Sequence, residues 1–194
     1  KLEETLDLDK LIAIAENAEE LEEIEIEVPY IKENPVIAVA KDEAFCFLYE
    51  DNLELLKKMG AVLVEFSPIH DKKLPDHTSG LLLYGGYPEL AAKQLSQNMP
   101  MRKSIENAIQ SGMPCMAECG GFMYLHETME DMDGHAWPMA GVIKGKAFRT
   151  EKLGRFGYIE ITPQKEQMLG MEVGKILAHE FHYFDSTSCG DYFY

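Results

Sequence analysis

Cys119 is the residue of this sequence best suited to chemistry, because it stands where an apolar strand turns into a helix. Residues 114–118 predict a short buried strand, and Gly120 and Gly121 begin a helix directly after the cysteine. Such a turn presents its side chain at the carboxyl edge of a sheet. The free N–H groups and the dipole of the new helix favour a thiolate over a thiol. We therefore predict that Cys119 is a catalytic nucleophile.

Two further groups are expected to meet Cys119 at the same edge of a parallel sheet, where ligands bind. Gly85 and Gly86 directly follow another apolar strand, and glycines there let backbone N–H groups approach a ligand as an oxyanion hole requires. Glu180 and His182 are two residues apart in a strand-like stretch, so their side chains face the same side. A thiol, an imidazole base and oxyanion donors are the groups needed for acyl transfer.

The other cysteines and histidines have simpler interpretations. Three cysteines lack such a context and are interpreted as small core residues: Cys46, Cys115 and Cys189. His179 and His182 could join Cys119 around zinc, but residues three apart in a strand face opposite sides, so we predict no metal site. The remaining histidines are interpreted as surface residues: His70, His77, His126 and His135. The sequence contains no phosphate-binding G-x-x-x-x-G-K-[ST] motif.

The composition excludes several classes of function. The chain of 194 residues carries a formal net charge of −16 and has no basic patch to neutralise the phosphates of a nucleic acid. No apolar run approaches the ~20 residues of a membrane-spanning helix, so we expect no membrane partner. Four scattered cysteines are too few for a disulfide scaffold, which favours a reducing, cytoplasmic location.

The acidic charge is concentrated at the start of the chain, where residues 1–30 contain eleven acidic and two basic residues. One interpretation of this segment is a solvated tail. The other is a junction with a further domain that lies outside these 194 residues. The second interpretation predicts an acidic junction over residues 1–30 followed by one domain over residues 31–194.

The middle of the chain alternates apolar runs with helical spacing. Continuous apolar runs predict buried strands at residues 36–40, 61–66, 80–84 and 114–118. Helical periodicity predicts helices at residues 50–60, 88–97, 101–110 and 120–127. This alternation is typical of an α/β fold with a mostly parallel sheet and helices on both faces. Later stretches predict antiparallel strands in the C-terminal part, at residues 140–149, 154–162 and 175–184.

Four motifs, taken together and in this order, resemble those of a known family. They are Asp-Asn-Leu-Glu-Leu-Leu at residues 51–56, Gly-Gly-Tyr-Pro-Glu-Leu at 85–90, Ala-Glu-Cys-Gly-Gly-Phe-Met-Tyr-Leu at 117–125 and His-Glu-Phe-His-Tyr at 179–183. Over roughly residues 35–185 the sequence is similar to the C-terminal glutamine amidotransferase domain of cobyrinic acid a,c-diamide synthases, of the triad (class I) type. The resemblance implies a flavodoxin-like three-layer sandwich.

The resemblance also implies a role for each candidate residue. Cys119 would attack the carboxamide of L-glutamine, giving a γ-glutamyl thioester and ammonia, and His182 would act as base and then as acid. The backbone N–H groups of Gly86 and Gly120 would be the oxyanion donors. In this family an N-terminal synthetase domain uses ATP and Mg²⁺ to activate the a and c carboxylates of cobyrinic acid, a corrin precursor in cobalamin biosynthesis, and amidates them with that ammonia.

Two departures from the family pattern limit these expectations. The family's usual glutamate stands two residues after the histidine, whereas Glu180 stands two residues before His182, so it is a candidate orienting residue by geometry only. The synthetase domain and its P-loop do not lie within these 194 residues, so no cofactor is expected here, and ATP and Mg²⁺ would bind the other domain. We expect the chain alone to hydrolyse glutamine slowly or not at all.

Several alternatives stay open at the level of sequence. Within the family, the amidated substrate is cobyrinate, cobalt-free hydrogenobyrinate or a nickel sirohydrochlorin. A cysteine amidase or hydrolase acting on peptides or other amides would use the same sheet architecture, as would a binding module that has lost its activity. The oligomeric state is not predicted by any of these patterns.

Overall fold

Over residues 36–118 the helices and strands follow the order that the sequence predicts. The structure is a computed structural model and describes residues 5–21, 27–161 and 175–188. Within these ranges the helices are α1 (Leu8–Glu16), α2 (Glu50–Lys58), α3 (Ala92–Gln97), α4 (Met99–Gln110) and α5 (Gly120–Tyr124), with a 3₁₀ turn at Pro88–Ala91. The strands in the same ranges are β1 (Val36–Ala40), β2 (Val62–Phe66), β3 (Thr78–Leu83), β4 (Cys115–Ala117), β5 (His126–Glu130), β6 (Ala136–Pro138), β7 (Ile143–Arg149), β8 (Arg155–Ile161), β9 (Ile176–His182) and β10 (Phe184–Ser186). None of these helices has the length and apolarity needed to cross a membrane.

A four-stranded parallel sheet with the order β2-β1-β3-β4 forms the centre of the fold. Ala38 in β1 lies opposite Val64 in β2 and Leu81 in β3, and Leu83 in β3 lies opposite Ala117 in β4. The chain therefore moves to one side of β1 to form β2 and to the other side to form β3 and β4. This is the doubly wound order of flavodoxin-like proteins, in which the strand order reverses next to β1.

Alternate residues of the central strands face two separate hydrophobic layers. Ala38 belongs to the main core, which also contains Leu95 of α3 and Ile105 of α4. Its neighbour Val39 points to the opposite side and packs in a second cluster with Leu53 of α2. Helices thus cover both faces of the sheet, and the three-layer α/β sandwich predicted from the sequence is confirmed.

The later strands form two further sheets. One has the order β10-β7-β5-β6, in which β5 and β7 run parallel while the other neighbouring pairs are antiparallel. The other is an antiparallel hairpin of β8 and β9, which pairs along its whole length from Arg155 opposite His182 to Ile161 opposite Ile176. The prediction of antiparallel strands in this part is confirmed, with the parallel pair β5–β7 as the exception.

Two predictions near the end of α5 are wrong. The predicted helix over residues 120–127 ends at Tyr124, and the chain then enters β5. His126, predicted to be a surface residue, is fully buried. Both ring nitrogens have hydrogen-bond partners in this buried position. Nδ1 lies 2.9 Å from the Phe122 carbonyl oxygen, and Nε2 lies 2.6 Å from Oγ of Ser186.

The prediction of a core position agrees with the structure for Cys115 but not for Cys46. Cys115 is partly buried in β4, and this desolvation raises the pKa of its thiol to about 12, as expected for an unreactive core residue. Cys46 is exposed, so the core prediction is wrong for it, because its neighbour Phe45 takes the buried position. Cys189 lies outside the described residues. Two other predictions fall partly outside them: the strand over residues 154–162 at residue 162, and the acidic segment at residues 1–4 and 22–26. The other predicted surface histidines are exposed: His70, His77 and His135.

We predict that His126→Ala lowers the free energy of unfolding by about 2–4 kcal/mol, because it creates a cavity and leaves buried polar partners unpaired. Urea unfolding followed by circular dichroism measures the change. The matched control is His70→Ala at the surface, which we expect to cost less than about 0.5 kcal/mol. Equal effects of the two substitutions would show that His126 contributes nothing to the core.

Candidate active site

The turn that carries Cys119 is strained and tightly held. Cys119 has φ 52° and ψ −113°, a conformation that a residue with a side chain rarely adopts. Two backbone hydrogen bonds hold the flanking residues, from the Glu118 N–H to the Leu83 carbonyl (2.9 Å) and from the Gly121 N–H to the Glu118 carbonyl (2.9 Å). Strain that is fixed in this way by the surrounding structure is typical of a nucleophile elbow.

The glycines after Cys119 let the new helix begin directly against the sheet. A Cβ atom on Gly121 would lie 1.9 Å from the carbonyl oxygen of Leu83, so no larger residue fits between β3 and α5. A Cβ on Gly120 would lie 2.8 Å from Cδ of Pro88, the first residue of the 3₁₀ turn after β3. The end of β3 and the start of α5 are therefore in direct contact around the candidate nucleophile.

The glycine pair after β3 lies beside the sulfur of Cys119. A Cβ on Gly85 would lie 3.3 Å from Cβ and 3.4 Å from Sγ of Cys119, so this glycine leaves space next to the thiol. Gly86 has φ +157°, and a Cβ there would lie 2.1 Å from the carbonyl oxygen of Ala44. The structure thus brings Gly85, Gly86, Cys119 and Gly120 together at one edge of the sheet.

Partial burial and two nearby carboxylates raise the pKa of the Cys119 thiol. Cys119 is exposed, yet the surrounding protein partly desolvates the sulfur, and this is the largest effect that raises the pKa of the thiol. The backbone N–H groups of Gly120 and Gly86 bond to the sulfur and lower its pKa, while the charges of Glu118 and Glu89 raise it. The net shift of the pKa is upward. The N–H groups at the start of the helix therefore favour the thiolate, but desolvation and the two carboxylates together outweigh them.

A cluster of aromatic residues from the loop after β1 lies against the elbow. The Tyr49 hydroxyl donates a 2.7 Å hydrogen bond to Oε1 of Glu118. This bond, followed by burial and the carboxylate charge, raises the pKa of Tyr49 to about 12. Phe47 pairs its backbone with Gly85 and stacks edge to face on Tyr87, with ring centroids 5.1 Å apart. The aromatic residues of this loop are visible in the sequence, but their contact with residues far along the chain is not.

Glu180 and His182 form a second group on β9. They lie on the same, partly buried face of the strand, and Nε2 of His182 lies 3.5 Å from Oε2 of Glu180. Nδ1 of His182 lies 2.5 Å from the carbonyl oxygen of Phe184, which can only accept, so Nδ1 carries the hydrogen. This arrangement fixes the imidazole and leaves Nε2 as its proton acceptor. His179 lies on the opposite, exposed face of β9.

The two groups are not joined to each other. Within the described residues, no hydrogen bond or ion pair connects Cys119 with His182 or Glu180. The nucleophile with its glycines stands on the central sheet, and the candidate base with its carboxylate stands on the β8–β9 hairpin. The candidate nucleophile and the candidate base therefore lie on separate elements.

One cluster outside this site has the composition of a metal site. Asp131, Asp133 and His135 bring possible ligand atoms within 4.8 Å of one another in the turn between β5 and β6. The Asp131 carboxylate, however, already accepts from Nε1 of Trp137 (2.7 Å) and from the backbone N–H groups of Asp133 and His135. These bonds account for the cluster as a structured turn.

Fold and site together define an α/β protein of the glutamine amidotransferase class, with a cysteine elbow at the carboxyl edge of a doubly wound sheet. The comparison with protein families agrees, because residues 36–191 match the CobB/CobQ-like glutamine amidotransferase domain. This chain belongs to that family.

The chain is similar to cobyrinate a,c-diamide synthases of several organisms. It is 43% identical over 183 residues to the enzyme of Caldanaerobacter subterraneus subsp. tengcongensis. This match covers 94% of this chain and 40% of the relative. It is 47% identical over 149 residues to the enzyme of Clostridium acetobutylicum. This match covers 77% of this chain and 33% of the relative. The chain thus spans about 40% of the length of the first relative and 33% of the second.

A solved structure gives a likeness in fold alone. The structure of PurLQS from Thermotoga maritima matches with a TM-score of 0.53 at 17% identity, and the match covers 80% of this chain and 70% of that one.

We predict that alkylation of Cys119 by iodoacetamide reaches half its maximal rate above pH ~8.5, the ordinary thiol value, because burial and two carboxylates raise the thiol pKa. Glu118→Gln removes one of these charges and shifts the midpoint to lower pH. Mass spectrometry of the Cys119 peptide separates this reaction from that of Cys46, and Cys119→Ser serves as the blank. A midpoint below the ordinary value, unchanged in Glu118→Gln, would contradict this electrostatic account.

Proposed function

We propose that this chain is the glutamine-hydrolysing domain of an ATP-dependent amidoligase that amidates the a and c carboxylates of cobyrinic acid in cobalamin biosynthesis. The observation that carries the proposal is the strained Cys119 elbow between the N–H groups of Gly86 and Gly120, in a chain of the CobB/CobQ-like family. The acceptor is suggested by relatives named cobyrinate a,c-diamide synthase. Hydrogenobyrinate and a sirohydrochlorin are the alternative acceptors.

In the proposed reaction, the sulfur of Cys119 attacks the carboxamide carbon of glutamine. A C–S bond forms and the carbonyl oxygen takes up negative charge. The N–H groups of Gly86 and Gly120 stabilise that charge, as oxyanion donors do. The C–N bond then breaks, a proton passes to the nitrogen, and ammonia leaves a γ-glutamyl thioester. Water hydrolyses the thioester, so that glutamine and water give glutamate and ammonia and the thiol is restored.

His182 is the proposed proton carrier of both steps. With Nδ1 donating to the Phe184 carbonyl, the neutral ring keeps the lone pair of Nε2, which can take the thiol proton. Glu180, 3.5 Å from Nε2, would stabilise the imidazolium that forms. The proposal requires β9 to bring Nε2 within hydrogen-bond reach of Cys119 in the working enzyme.

Glu118 and Glu89 are proposed to face the charged end of the substrate. Their carboxylates oppose ionisation of the thiol in the resting site. Glutamine carries an α-ammonium group, and binding of this cation beside the carboxylates would offset their charge and favour the thiolate. The hydrogen bond from Tyr49 holds Glu118 in position. The nucleophile would then be activated only when its substrate is present.

The remaining parts of the enzyme are assigned outside the domain. We propose residues 1–30 as the junction and residues 31–194 as the amidotransferase domain. A synthetase region in the rest of the polypeptide would bind ATP, Mg²⁺ and the corrinoid, and no residue of this chain is given that task. A cytoplasmic location suits a nucleophile that must stay a free thiol.

We predict that an electrophilic glutamine analogue labels Cys119 stoichiometrically when the synthetase region is present, and that Cys119→Ala abolishes the labelling. Peptide mass spectrometry identifies the modified residue, and glutamate release measures turnover. Absence of labelling together with hydrolysis of other amides would indicate a cysteine hydrolase of the same fold. A chain that neither reacts with the analogue nor turns over any amide would be a binding module.

A matched pair of glycine variants tests the space beside the sulfur. Gly85→Ala places a methyl group 3.4 Å from Sγ of Cys119, and we expect it to slow labelling by about 10²-fold because it blocks the approach of the carboxamide. Gly80→Ala, in β3, places its methyl group 3.6 Å from Cγ1 of Ile37, an ordinary contact, and should label like the unmodified chain. Equal labelling of both variants would contradict the proposal that the carboxamide binds beside Gly85.

A further inference from the structure

A pair of aromatic residues stands beside the Cys119 elbow, and the proposed reaction gives it no task. Phe47 is 44% exposed and Tyr87 is 50% exposed. Their rings stack edge to face with the centroids 5.1 Å apart, and we call this pair the aromatic wall. Sites for small ligands are lined mainly by apolar and aromatic side chains with a few polar groups among them. The aromatic wall is therefore a candidate for contact with the substrate.

The ring of Phe47 and the sulfur of Cys119 border the same small space. A carbon atom added to Gly85 would lie 3.3 Å from Cδ2 of Phe47 and 3.4 Å from Sγ of Cys119. Carbon atoms in contact lie ~3.5–4 Å apart, and a carbonyl carbon ready for attack lies ~3–3.5 Å from its nucleophile. A carboxamide carbon that approaches Sγ on this side therefore brings itself, or the next carbon of its chain, into contact with the ring.

The backbone of the loop after β1 fixes Phe47 in this place. The Phe47 N–H donates to the Gly85 carbonyl oxygen (3.1 Å), which ties the loop to the end of β3. Leu48 packs against the second hydrophobic cluster, and Phe45 is fully buried in the main core. The ring cannot leave the elbow unless these apolar anchors are withdrawn. The aromatic wall is thus preformed, which lowers the entropy cost of binding a substrate against it.

The polarity of the groups around the sulfur matches the parts of a glutamine molecule. The N–H groups of Gly86 and Gly120 suit the carbonyl oxygen, and the carboxylate of Glu118 suits the ammonium end. Tyr49, which binds this carboxylate at 2.7 Å, comes two residues after Phe47, so one loop presents both the apolar ring and the partner of the carboxylate. Glutamine has two methylene groups between its carboxamide and its α-carbon. An aromatic ring can cover them without leaving a polar atom unpaired.

We propose that Phe47 is a specificity-determining residue of the glutamine site, because its ring packs on the methylene groups of the substrate. Tyr87 is the positioning residue that holds the ring from its other side. The assignment rests on the proposed function, since it takes the substrate of Cys119 to be glutamine. It deepens that function by naming the side chain that recognises the apolar part of the substrate.

The contact with Phe47 is expected to contribute about tenfold to the affinity for glutamine, since each buried methylene contributes about fourfold. The methylene groups do not change when the C–S bond forms, so the ring stabilises the bound substrate and the transition state equally. Loss of such uniform binding raises KM and leaves kcat unchanged. In steady-state glutamine hydrolysis by the full-length polypeptide, Phe47→Ala should therefore raise KM about tenfold and change kcat by less than about twofold.

Two electrophiles of different length test the contact in the full-length polypeptide. An electrophilic glutamine analogue carries both methylene groups, whereas iodoacetamide lacks this chain. We expect Phe47→Ala to slow labelling of Cys119 by a subsaturating concentration of the analogue about tenfold, because the methylene groups lose their contact. Alkylation by iodoacetamide, measured on the plateau of its pH profile, should fall by less than about twofold, because this reagent makes no such contact. Peptide mass spectrometry separates Cys119 from Cys46.

Matched variants give the comparison its scale. Phe47→Leu keeps an apolar side chain and should label with the analogue within about threefold of the unmodified polypeptide, while Tyr87→Ala, which only releases the ring, should slow it about threefold. Met99→Ala changes a side chain that is 59% exposed on α4 and should label like the unmodified polypeptide.

Three results would be decisive against the assignment. Equal slowing of both electrophiles in Phe47→Ala would show that the substitution disturbs the thiol itself, and unchanged labelling by the analogue would show that the ring does not touch the substrate. Either result overturns the role of Phe47 and leaves the proposed function standing. Failure of the analogue to label Cys119 in the unmodified polypeptide would overturn the proposed function and, with it, the glutamine site.

Discussion

The close contact between the end of β3 and the start of α5 is the constraint on which the rest of the site depends. Gly121 lies against the Leu83 carbonyl, and the same carbonyl accepts the Glu118 N–H at 2.9 Å. The chain has no room to turn gradually, so Cys119 takes a positive φ and its side chain points outward. The sulfur thereby arrives beside Gly85 and Gly86, whose own position is fixed by the same strand. A displacement of β3 would move the candidate nucleophile and its proposed oxyanion donors together.

This geometry supplies reactivity only in part, because the charges nearby oppose it. A thiol at a helix start is normally acidified, but α5 has five residues and few aligned peptide dipoles to offer. Two N–H groups lower the thiol pKa, and desolvation with the charges of Glu118 and Glu89 outweighs them. The two carboxylates raise the pKa of the thiol, and their negative charge also suits a ligand that carries an ammonium group. Restraint of the thiol and recognition of glutamine would then have one electrostatic cause.

What the sequence predicts well is what depends on neighbours along the chain. The elbow at Cys119, the central strands and the shared face of Glu180 and His182 all follow from spacing alone, and the structure contains each of them. The surface prediction for His126 is wrong because the side chain that pairs with its Nε2 belongs to Ser186, 60 residues away in the sequence. The bond between Tyr49 and Glu118 spans 69 residues and is equally invisible to a local pattern. Long-range contacts of this kind depend on tertiary packing, which the local periodicity of the sequence does not predict.

The division of the site between two elements has a physical consequence. The candidate nucleophile lies at the end of the central sheet, where strands and helices on both sides make its geometry insensitive to local opening. The imidazole stands on a two-stranded hairpin, an element near the low end of local stability. A change in the position of the imidazole therefore costs less free energy than a change in the position of Cys119. With His182 as the proposed base, a shift of the hairpin would change the alignment of the site while Cys119 stays in place.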